Sequence, residues 1–109
     1  MSQVTELDDV VADMHHLQSL AASSEEPRDV RDAVYAVIVR INNFIPRVRE
    51  STAHSQVIDM VVNALKEAVE KLVEVSDQAP GTKLWDDLFI KALDRVDTAS
   101  SYLGGRFVE

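Results

Sequence analysis

Apolar residues recur at intervals of three and four along almost the whole chain, and this repeat limits the accessible folds more than any other feature. One series is Leu7, Val10, Val11, Met14, Leu17 and Ala21; a second is Val30, Val34, Val37, Ile38, Ile41, Ile45 and Val48. A third is Ile58, Val61, Val62, Leu65, Ala68, Val69, Leu72 and Val73, and a fourth is Trp85, Leu88, Phe89, Ala92, Val96, Ala99 and Leu103. The period matches the turn of an α-helix, not the alternation of a half-buried strand. The β-branched run VYAVIV suits a strand by composition, but it has no partner strand and lies within a longer helical series.

Punctuation divides the series. Thr5 stands before an acidic turn as an N-cap would, and the first helix ends near Ala22. The serines of ASSEEP supply the next cap, Glu25 and Glu26 complement the helix dipole, and Pro27 fits a first turn where its missing N–H has no partner to lose. SDQAPGTK separates the third helix from the fourth, Thr82 caps the fourth, and Gly104 with Gly105 ends it. The expected helices therefore span roughly 5–22, 25–50, 52–77 and 82–103, with a tail at 104–109. Four amphipathic helices on short links bury their stripes most economically against one another, so the expected fold is all-α, a single-domain antiparallel four-helix bundle over residues 1–109. A chain of this length carries a core without cross-links, and it has no cysteine with which to make one.

Charge narrows the partners. Nineteen acids against eleven lysines and arginines give a net charge of −8, which repels phosphate backbones and anionic lipid and favours basic partners. Residues 1–26 hold six acids and no Lys or Arg, so the first helix is an anionic rod on which Asp9 and Asp13 are candidate partner-binding residues. No apolar run is long enough to span a bilayer, and MSQVTELDD lacks the basic start of a secretory signal; the expectation is a cytoplasmic protein that binds neither membrane nor nucleic acid directly.

The second helix contains an anomaly at RINNFIPRVRE. Inside an exposed helix Pro46 loses its own hydrogen bond and presses on the carbonyl of Asn42, at a cost of about 3 kcal/mol. Either the helix is kinked and continuous, or it stops near Asn43 and restarts with that residue as cap; the unbroken phase through Ile45 and Val48 favours the kink. Arg40, Asn43 and Arg47 share one side of this stretch, off the apolar stripe, and form a candidate grip for a carboxylate or phosphate on a partner. The plainer alternative is that these arginines are solvated or pair with acids of neighbouring helices. Tyr35 and Val39 lie one turn apart away from the main seam, with Met60 and Ile90 similarly displaced on the third and fourth helices. They mark a docking or self-association face unless the second helix is simply the most enclosed.

Three further patterns carry chemistry elsewhere. Glu67, Glu70, Glu74 and Asp77 lie on one side of the third helix, and the paired ExxE and ExxD resemble the metal-binding helices of all-helical nucleotide pyrophosphohydrolases of the MazG type. In those enzymes the carboxylates come from two facing helices, whereas here both pairs follow on one. Asp9, Asp13 and His16 share a side of the first helix as half of a metal site, with no matching Glu-x-x-His to complete it. AHSQ around His54 resembles the phosphoacceptor region of histidine phosphotransfer bundles, but the lysine and glycine that usually follow are replaced by Val57 and Ile58, and the function is not carried over. No nucleophile elbow, phosphate loop or HExxH occurs. The expectation is a non-enzymatic module without metal or cofactor that inhibits, neutralises or scaffolds a basic protein, similar in size and charge to bacterial immunity proteins and phage-encoded defence inhibitors. A homodimeric or larger structural bundle is the alternative, and a metal-dependent phosphohydrolase using the third helix's carboxylates comes after it.

Overall fold

The computed structural model describes residues 3–23, 26–50 and 55–107. Four helices account for nearly all of them: α1 (Gln3–Ser23), α2 (Pro27–Arg49), α3 (Ser55–Ser76) and α4 (Lys83–Phe107), with no strand among the described residues. Each helix packs on its two neighbours in the cycle α1–α2–α3–α4–α1, and the diagonal pairs do not approach. A helix of 22 residues is about 33 Å long, so a body of 43 × 21 × 19 Å accommodates the four only if each folds back along the last. The fold is the antiparallel bundle that the apolar period predicts.

The core runs the length of the bundle. Leu7, Val10, Met14 and Leu17 of α1 meet Val30, Val34, Ile41 and Val48 of α2, Val61, Leu65, Ala68 and Leu72 of α3, and Trp85, Phe89, Ala92 and Val96 of α4, all essentially inaccessible. Trp85 and Phe89, one turn apart, stack with ring centroids 5.1 Å apart and planes 7° from parallel, an arrangement that adds to the area they bury. No buried side-chain polar atom lacks a hydrogen-bond partner among the described residues. The most buried hydroxyl, on Ser76, donates to the Val73 carbonyl at 2.6 Å.

The α3–α4 connection follows its sequence closely. Gly81 takes φ +86°, a conformation open to glycine and strained for L side chains, although a Cβ there would meet nothing within 4 Å. The Thr82 hydroxyl donates to the Ala79 carbonyl at 2.8 Å and accepts the Trp85 N–H at 3.3 Å, which is the expected N-cap of α4.

Several expected boundaries are corrected. α1 begins at Gln3, so Thr5 is a residue of its first turn and not its cap; helix ends are set weakly where no residue forbids another turn. Glu26, not a serine, is the N-cap of α2, with extended backbone and no side-chain cap bond. Ser23 instead completes α1 and donates to the Ser19 carbonyl at 3.0 Å. Pro27 is the first residue of α2, as expected. Gly104 and Gly105 do not end α4, which continues to Phe107 and absorbs Arg106 and Phe107 of the expected tail. Glycine weakens a helix without blocking it, and no proline follows. The expected start of the third helix at Thr52, the cap candidate Ser24, Glu25 of the expected acidic first turn, and His54 lie outside the described residues.

α2 runs through Pro46 without a break, which excludes the stop at Asn43. Pro46 and Asn42 are both exposed, while Phe44, Ile45 and Val48 around them are buried. The lost hydrogen bond therefore falls on the solvent side of the helix, where water can take its place, and the core-facing ladder keeps its phase.

Candidate functional site

Between α1 and α2 lies an open groove of about 440 Å³, within the range of ligand-binding clefts. Its walls are Asp9 and Val10 of α1 and Ala36, Val39, Arg40, Asn43, Phe44 and Arg47 of α2. Arg40, Asn43 and Arg47, grouped from their spacing alone, thus line a single concavity, and Asp9 and Val39 join them. Helical geometry explains the grouping: successive steps of three and four return to one flank of α2, and that flank faces the adjacent helix.

Asp13 is not part of the lining but pairs with one of its residues. Its Oδ2 lies 2.8 Å from Arg40 Nη1 in an ion pair between the two helices, with both side chains about half exposed. Arg40 accordingly meets an acid of a neighbouring helix, as the plainer reading of the sequence has it. The contact identifies Arg40 as a group already positioned to hold a carboxylate. Tyr35 is not part of the groove lining; it is 47% exposed, and Val39, at 56%, is the most exposed large apolar side chain described.

Phe44, which the stripe taken from the sequence omits, is 3% exposed and lies beneath this groove with Val10, which is fully buried. The signal is present in the series Val37, Ile41, Phe44, Val48, whose steps of four, three and four describe the same face. With Ala36 and Val39 these residues make half of the lining apolar. The flank is also electrically unusual. α2 carries five of the chain's seven arginines (Arg28, Arg31, Arg40, Arg47, Arg49) against Asp29 and Asp32, a net of +3 in a protein of −8.

The acids of α3 are distributed differently. Glu67 Oε1 lies 3.5 Å from Arg95 Nη1, and Lys71 Nζ donates to Glu74 at 3.4 Å, so two of the expected carboxylates face cations. Arg95 Nη2 donates to Asp94 Oδ2 at 2.7 Å; this bond, with the charges of Asp94 and Glu67, holds the guanidinium above the ordinary arginine range. Asp9, Asp13 and His16 do not converge with further ligands, and no group of three His, Asp or Glu side chains is placed to hold a metal ion among the described residues. None of the described helices is long and apolar enough to cross a membrane. No protein-family model matches the chain, and no curated protein or solved structure is significantly similar to it.

Proposed function

We propose that the chain is a protein-binding module that inhibits or scaffolds a partner protein through the α1–α2 groove. The observation that carries this reading is the lining: the exposed Ala36 and Val39 over the buried Val10 and Phe44, beside Arg40, Asn43, Arg47 and Asp9. Apolar side chains beside arginine are a composition that binding hot spots favour. The net charge of −8 supports a partner that is basic as a whole, because long-range attraction follows net charge while docking follows local chemistry. The cytoplasm is the compartment proposed for the encounter.

The test is capture of partners from native lysate by the purified chain, compared with Arg40→Ala/Arg47→Ala. The expected result is a stoichiometric basic partner that dissociates at high salt and is lost with the double variant, whose helix content is unchanged by circular dichroism. A partner retained undiminished by the double variant would reject the groove, and an empty capture would count against the module itself.

Self-association through the outer face of α2 is the second reading, favoured by the exposure of Tyr35 and Val39. The net +3 of that helix opposes symmetric pairing of two copies along it. Light scattering at micromolar concentration decides, since a strict monomer removes this reading.

A further inference from the structure

Taking the module reading as its basis, we infer that the α1–α2 groove recognises a carboxylate borne next to an apolar side chain on the partner, and that Asp13 is an internal competitor for it. The partner segment is acidic and apolar even if the partner as a whole is basic.

Three observations converge on this chemistry. Arg40 already holds a carboxylate, that of Asp13, at 2.8 Å, so its guanidinium is oriented for such a ligand without rearrangement. Asn43 and Arg47 line the same groove and add an amide and a second guanidinium beside it. Val39 and Ala36, both exposed, form a neighbouring apolar surface over the buried Phe44 and Val10, which a bare inorganic anion would leave uncovered. Asp13 is attached to α1 and about half exposed, so an incoming carboxylate can displace it without disturbing the core. The exposed pair is weak, and its competition lowers the affinity of the groove by about two- to fivefold.

A titration followed by proton–nitrogen NMR at constant ionic strength tests this, with hexanoate as carboxylate plus apolar tail and with acetate and inorganic phosphate as comparisons. Hexanoate is expected to shift the amide resonances of Val39, Arg40, Asn43 and Arg47 saturably and more tightly than acetate or phosphate. Arg47→Ala should abolish the shifts, and Asp13→Asn should tighten binding about two- to fivefold. Repeating Asp13→Asn in an Arg40→Gln background should return no gain, which separates competition from a general change in charge or folding. Phosphate binding as tightly as hexanoate, hexanoate shifts confined to other surfaces, or an equal gain from Asp13→Asn with and without Arg40 would each overturn the inference. A positive titration with an empty lysate capture would sink the module reading and leave the groove chemistry standing; the reverse pattern would do the opposite.

Discussion

Two open grooves flanked by arginines, one between α1 and α2 and one between α3 and α4, are built from different materials. The α3–α4 groove is the larger, about 620 Å³, yet six of its seven lining residues are charged and only Ile90 is apolar. Its three cations, Lys71, Lys91 and Arg95, face three acids, Glu67, Glu70 and Asp94. Arg95 is engaged by Asp94 at 2.7 Å and Glu67 at 3.5 Å. The α1–α2 groove has half its lining apolar, and its floor is continuous with the core through Val10 and Phe44. Covering the first surface would desolvate matched charges, whereas covering the second would bury the exposed Ala36 and Val39 beside its arginines. On the proposed reading, lining chemistry and not volume ranks the two grooves for binding.

The sharpest way to break this contrast is to truncate each groove's most prominent apolar residue. Phe44→Ala should destabilise the fold by about 3–5 kcal/mol, because it empties a buried site that the helices can only partly close. Ile90, 53% exposed, should cost no more than about 0.5 kcal/mol when changed to alanine. Denaturant unfolding of the two variants measures both. Near-equal losses would mean that the α1–α2 floor is not core and that the two grooves are alike.

Pro46 offers a second test, since α2 contains a proline within its helix and α3 does not. Proline costs about 3 kcal/mol relative to alanine in an exposed helix interior, and the exposed setting of Asn42 offsets part of that. Pro46→Ala is expected to stabilise the protein by about 1–2 kcal/mol in chemical denaturation. The same variant should alter hexanoate binding, because the proline lies in the helix that carries the groove's Arg47. A neutral or destabilising result would show that the surrounding core is shaped to the proline.

The ease of reading these regions from sequence differs for physical reasons. Helical period places all four helices and most of the core, because a side chain's face follows from its position with no knowledge of the neighbours. It also gathers Arg40, Asn43 and Arg47. It does not say which helix they face, so the pairing of Arg40 with Asp13 of α1 is invisible until the helices are docked. Edge positions are similarly set by packing: Val73 belongs to the apolar series yet is 46% exposed, while Val75, two residues on, is fully buried. Helix ends are legible where a side chain makes a specific bond, as Thr82 does, and not where one turn more costs little, as at Gln3 and Gly104.

The smallest expected effect belongs to Arg95→Ala, and it bears most directly on whether an arginine beside a groove signifies binding. Arg95 faces two acids, Asp94 and Glu67, where Arg40 faces Asp13, and its side chain is less exposed, 38% against 51%. Exposed ion pairs contribute little to stability, so the thermal and chemical unfolding midpoints should move least of all in this variant. Partner capture and hexanoate binding should both be unaffected, since the residue lies on the α3–α4 side of the bundle. If Arg95→Ala abolished capture as fully as Arg40→Ala/Arg47→Ala, the composition of a groove's lining would carry no information about binding here, and the charge-balanced α3–α4 groove would become the interface to pursue.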